Sequence, residues 1–146
     1  MLGDLNKKQL IDLLEGQVIG RLGCHADDET YIVPINYVYR DKAIYAHSGP
    51  GKKIEMMRKN PKVCFQIDSI ENTFRWKSAI LWGKYQELEG QERQQAMQGI
   101  LQRVMTLRDK AWIPSSHAID PALHKDLIVY KILIEEGTGR CETHED

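Results

Sequence analysis

Lys52 and Lys53 stand side by side where an apolar-periodic stretch begins, directly after Gly49, Pro50 and Gly51. The first backbone N–H groups of a helix are unpaired and the helix dipole at that end favours an anion. An exposed lysine there opposes the dipole by roughly 0.3 to 1 kcal/mol, so two together invite an anionic partner. Gly49 and Gly51 let the backbone approach a ligand closely, Pro50 stiffens the turn and Ser48 offers a hydroxyl donor. The chemistry these residues fit is phosphate binding, and the alternative is a solvated lysine pair. Nucleotide hydrolysis loses its main support. The pattern G-x-x-x-x-G-K-[ST] needs glycine at position 46 and a hydroxyl after the lysine, where the chain has Ala46 and Lys53.

The remaining chemistry-bearing residues are scattered. His25, His47, His117, His124 and His144 form no H-x-x-x-H or H-E-x-x-H pattern, so no metal site is expected. His47, at the strand end that feeds the glycine turn, is the one candidate for a proton donor or substrate contact. Cys24, Cys64 and Cys141 are odd in number and widely spaced, without a C-x-x-C pair, which argues for a reducing compartment and against a disulfide framework. Trp76, Ser78 and Trp82 fall on one face of a strand. Such a face stacks on a flat ring or, as tryptophans more often do, fills a barrel core or a dimer interface. Arg58, Lys59 and Lys62 make a local basic stretch, but a net charge of -1 and the absence of a nucleic-acid motif argue against a nucleic-acid partner.

The elements that must position these residues follow from local patterns. A helix is expected from the Asn6/Gln9 capping pair through Leu10, Leu13 and Leu14 to a stop at Gly16. Strands are expected at 18–24, 31–40 and 43–47, with tight turns at 26–29 and Asp41-Lys42. A short helix carrying Ile54 and Met57 ends at Asn60-Pro61, and a strand at 63–68 leads through a polar loop at 69–73 to a long strand at 74–88. Gly83 marks a bulge or a close approach within that strand. A helix at 90–105, an irregular loop at 108–126, a strand at 127–134 and a frayed polar tail at 137–146 complete the chain. The tally is about six strands with two or three helices. A doubly wound parallel sheet is disfavoured, since no regular βαβ alternation occurs. The 146 residues fit one mainly β domain with inserted helices, folded as a small antiparallel barrel. Acids and lysines interrupt the N-terminal apolar residues, so neither a signal peptide nor a membrane span is expected and the protein is placed in the cytoplasm.

The segment IGRLGCHADDETYIVPINYVYRDKAIYAHSGPGKKIEMMRKNPKVCFQID, Ile19 to Asp68, with the later SAILWGKYQEL and TGR, resembles the FMN-binding split-barrel proteins related to pyridoxamine 5'-phosphate oxidase. Within them it is most similar to the nitroimidazole-resistance reductase branch. The resemblance implies an antiparallel six-stranded split β-barrel that forms a homodimer with flavin sites between the subunits. It implies that Lys52 and Lys53 hold the FMN phosphate and that Val33, Pro34, Ile35 and Asn36 line the isoalloxazine ring. His47 and Ser48 would sit beside phosphate and ring, His47 near the substrate, while Trp82 and Gly83 face the flavin across the dimer interface. The implied activity is flavin-dependent oxidoreduction of a small-molecule substrate, with a reduced nicotinamide as donor and nitroaromatic-type acceptors. A flavin or haem carrier without turnover is the alternative. The tail KILIEEGTGRCETHED lacks the arginine- and histidine-bearing segment with which the authentic oxidase binds its substrate, so vitamin B6 oxidation is not expected. The loop with Trp112, Pro114, Ser115, Ser116 and His117 matches no motif of the family and leaves room for a private substrate pocket.

Overall fold

Asn6 closes the reciprocal cap that its spacing to Gln9 predicts: its side chain accepts from the Gln9 N–H, and the Gln9 side chain accepts from the Asn6 N–H, both at 2.9 Å. Two otherwise unpaired N–H groups are satisfied at once. This cap starts helix α1 (Lys7–Gly16), which follows a short strand β1 (Leu2–Asp4). A computed structural model describes residues 1–108 and 126–144 of the chain. The expected irregular loop, with Trp112, Pro114, Ser115, Ser116 and His117, lies outside the described residues apart from its ends.

Strands β2 (Ile19–Ala26) and β3 (Glu29–Asn36) form a hairpin through Asp27 and Asp28, both at positive φ, 52° and 60°. Two residues in that conformation match the twist of a tight hairpin. Tyr37 alone separates β3 from β4 (Val38–Arg40), and a second such turn, Asp41-Lys42, leads into β5 (Ala43–Ser48). Helix α2 (Lys52–Lys59), β6 (Lys62–Asn72), β7 (Arg75–Glu87), α3 (Gly90–Arg108) and β8 (Ile128–Glu142) follow.

All strand pairs are antiparallel, in the order β3-β2-β6-β7-β8-β5-β4, with β1 added to β8. The sheet therefore has eight strands where six were expected. One expected strand is split at Tyr37, and β1 was not anticipated. Since β3 and β4 lie at opposite ends of the order yet adjoin at Tyr37, the sheet curls on itself without a ladder to close it.

The polar tail is also corrected. Residues 137–142, expected to fray, form the second half of β8, paired with β7 on one side and, at Arg140 to Glu142, with β1 on the other. Its glycines are there for space: a Cβ on Gly137 would stand 2.6 Å from Leu81, and one on Gly139 would stand 2.8 Å from Leu5.

The inner face of the curl holds the main core, with Leu22, Ile44, Met57, Phe65, Ile67 and Tyr130 fully buried. Each such side chain contributes about 1.5 to 3 kcal/mol relative to exposure. Tyr37 fixes the seam of the sheet, packing edge-on against Phe65 at 5.0 Å and donating its hydroxyl to the Leu14 carbonyl at 2.7 Å. A smaller cluster joins Ala96 of α3 to Ala43 and Tyr45 of β5 and to Val129 of β8. No helix among the described residues is long and apolar enough to cross a membrane.

Candidate functional site

The end of β5 runs through Ser48 and a glycine turn into α2, whose N-cap is Gly51 in an extended conformation with no side-chain cap. The first intrahelical bond is donated by the Glu55 N–H to the Gly51 carbonyl at 3.1 Å, so the N–H groups that precede it have no partner within the helix. Ile54, Met56 and Met57 bury the opposite face of α2 in the core. The helix is tied to the β2–β3 hairpin at its far end, where Lys59 pairs with Asp27 at 2.6 Å and the Asn60 amide donates to the His25 carbonyl at 2.9 Å. The start of α2, with these unpaired N–H groups, thus lies beside the β2–β3 hairpin.

Lys52 pairs with Glu29 and lies over the Tyr31 ring, 5.0 Å from its centre. The hydrogen bond that Lys52 donates to Glu29 raises the Lys52 pKa, with desolvation opposing it. Lys53 is half-buried and, among the described residues, has no such ion pair. Burial pushes the Cys24 thiol up, and the charges of Lys52 and Lys53 pull it back down, so both ammonium groups act on one place. Ser48 donates its hydroxyl to the Gly49 carbonyl at 2.7 Å, which leaves the oxygen able to accept. His47 is exposed, opposite Val129 in the β5–β8 ladder and two residues after Tyr45 on the same strand face.

The four expected ring-lining residues divide between two faces. Val33 and Ile35 turn into the main core, while Pro34 and Asn36 are exposed on the other side. Only their backbone is common to both faces. Trp82 lies on the outer face of the sheet, 40% exposed, in one cross-strand row with Cys64, Gly23 and Ile32. That row floors an open groove of about 660 Å³, to which Gly83 and Lys62 also contribute. None of Val33, Pro34, Ile35, Asn36, His47, Ser48, Lys52 or Lys53 lines it. Within one chain, the Gly49–Lys53 turn and the Trp82 groove are therefore separate surfaces.

Glu29 and Tyr31 escaped the sequence reading. Their spacing of two puts them on one strand face, but nothing local indicates that a helix 23 residues further on brings Lys52 to them. Among the described residues, no group of three His, Cys, Asp or Glu side chains is placed to hold a metal ion.

Comparison with known proteins identifies the family and the fold. The family model described as pyridoxamine 5'-phosphate oxidase matches residues 6–141. The crystal structure of a FAD-binding protein from Mesorhizobium loti superimposes with a TM-score of 0.77 at 33% identity, covering 98% of this chain and 99% of that one. A candidate 5-nitroimidazole antibiotic resistance protein from Bacteroides thetaiotaomicron superimposes with a TM-score of 0.74 at 25% identity, covering 97% of this chain and 87% of that one. An uncharacterized protein of Rhizobium meliloti is 47% identical over 70 residues, 48% of this chain and 46% of the relative, so the match spans less than half of either.

Proposed function

The chain belongs to the pyridoxamine 5'-phosphate oxidase family, and from that premise we propose that it binds FMN by its phosphate at the Gly49–Lys53 turn and serves as a flavin-dependent oxidoreductase of a small molecule. The observation that carries this reading is the uncapped start of α2, where Gly51 leaves the helix N–H groups open beside two lysines. These residues fit a phosphate group: unpaired N–H donors, two ammonium groups and the Ser48 oxygen nearby are what a singly attached phosphate requires. The FAD-binding relative from Mesorhizobium loti supports a flavin, and the choice of FMN rests on the resemblance to the FMN-binding split-barrel proteins.

When bound, a flavin would supply the redox chemistry, hydride and electron transfer between a reduced nicotinamide and an acceptor such as a nitroaromatic. The chain's part is to bind and orient. Lys52 and Lys53 neutralise the phosphate, the backbone of Val33, Pro34, Ile35 and Asn36 offers hydrogen bonds to the ring, and His47 holds a proton near the substrate. Ile32, 67% exposed, and Trp82 make an apolar outer face that a second copy of the chain covers, which brings Trp82 and Gly83 to the partner's flavin.

A visible spectrum of the purified protein, with mass identification of any released ligand, tests the reading. A colourless protein that takes up no added FMN overturns it, and release of FAD overturns the choice of mononucleotide. Oxidation of a reduced nicotinamide, with and without a nitroaromatic acceptor, then separates an enzyme from a flavin carrier.

A further inference from the structure

The lysine pair is asymmetric. Glu29 pairs with Lys52 and the Tyr31 ring lies beneath the same ammonium, whereas Lys53 makes no such ion pair among the described residues. A carboxylate at Lys52 takes up the ammonium that a ligand phosphate needs, and its charge repels any anion arriving there. The hairpin that carries Glu29 is not free to swing away. Asp27 and Asp28 form its tight turn, β3 pairs with β2 along its whole length, and the Asn60 bond to the His25 carbonyl at 2.9 Å joins it to the far end of α2. What can move is the Glu29 side chain, which is 55% exposed and gives up only an exposed ion pair when it turns to water.

We propose that Glu29 is a built-in competitor for the phosphate site, displaced from Lys52 when a phosphate binds, and that it holds down the affinity of the turn for anionic ligands. The inference rests on the reading of Lys52 and Lys53 as the phosphate site. A phosphate dianion offers Lys52 and Lys53 more charge than the carboxylate it displaces. A ligand carboxylate offers no more charge than Glu29, which is already tethered in place, and a neutral ligand offers none. Glu29 therefore weakens the binding of phosphate esters and other anions at the turn and leaves a ligand that does not use Lys52 unaffected.

Titration of the full chain and of Glu29→Gln with FMN and with riboflavin, followed by flavin fluorescence, tests this. Glu29→Gln is expected to bind FMN about fivefold tighter, in keeping with the upper range of an exposed ion pair, with riboflavin affinity unchanged. In a Lys52→Ala background Glu29→Gln should bring no gain over Lys52→Ala alone, as coupling between the two side chains requires. Glutamine is close to isosteric at this exposed position, so loss of the fold does not confuse the result. Unchanged FMN affinity in Glu29→Gln, or an equal gain for riboflavin, overturns the competitor role and leaves the flavin reading standing. A wild-type protein that binds no FMN overturns both.

Discussion

Trp82 and Gly83 are neighbours in β7 that serve opposite faces of the sheet: Trp82 is 40% exposed outside, and Gly83 lies so close to β8 that a Cβ there would stand 2.3 Å from the Leu133 carbonyl oxygen. The ladder slips at this point, pairing Trp82 with Glu136 but Gly83 with Ile134, so Glu135 is the extra residue of a β-bulge. One step along the strand thus combines an outward aromatic with a position where β8 leaves no room for a side chain.

Replacing Gly83 by alanine should destabilise the fold. The nearest obstacle is a backbone oxygen, which cannot rotate aside, so the methyl group forces the two longest strands apart. A loss of roughly 1 to 3 kcal/mol is expected, read as a melting temperature lower by several degrees. An unchanged melting temperature would show that the bulge absorbs the methyl group.

Trp82→Glu should give a folded monomer. The side chain is partly exposed in the single chain and its row carries Ile32 and Cys64, so a charge there costs the isolated fold little while opposing burial against a second copy. Sedimentation equilibrium is expected to find a dimer for the wild type and a monomer of unchanged circular dichroism for the variant. A wild-type monomer would remove the proposed interface.

What was legible beforehand was local. The Asn6/Gln9 cap, the turns at Asp27-Asp28 and Asp41-Lys42, and helix α2 between Gly51 and Asn60 each rest on residues a few positions apart. The errors were mostly long-range, apart from the loop expected at 69–73, where β6 runs on to Asn72. Strand β1 exists because Leu2 and Asp4 pair with Glu142 and Arg140 at the other end of the chain. The tail looked like a loop because composition cannot reveal that Gly137 and Gly139 make room for Leu81 and Leu5. In the site, the lysine pair and its glycine turn were visible, but the Glu29 carboxylate that occupies Lys52 was not. The alternation of β3 also divides Val33 and Ile35 from Pro34 and Asn36, which a contiguous motif conceals.

Glu87 should contribute to acid sensitivity. Its pKa is lowered chiefly by the hydrogen bond from Arg58, with the Tyr85 hydroxyl donating as well at 2.8 Å, against a smaller desolvation effect. A carboxylate whose pKa is depressed on folding stabilises the fold above its unfolded value of about 4.3, and that contribution is lost as pH falls through the folded pKa. Since the pair is partly exposed, the amount is under about 1 kcal/mol. Urea unfolding of Glu87→Gln should show lower stability than wild type at neutral pH and a smaller difference near pH 3. Equal differences at both values would mean that the substitution acts through packing.

Replacing Lys52 and Lys53 together by alanine separates ligand binding from folding. Both lie in the first turn of α2, where positive charge opposes the helix dipole, and Lys52 gives up only an exposed pair with Glu29. The apo fold should therefore be as stable as wild type or slightly more so. Binding of FMN behaves differently, because each charge-assisted bond to the phosphate contributes about 1.5 to 3 kcal/mol, so loss of both predicts at least a hundredfold weaker binding. Riboflavin, which has no phosphate, should bind wild type and variant alike. A double variant that unfolds would assign the lysines a structural role, and one that binds FMN normally would place the phosphate elsewhere.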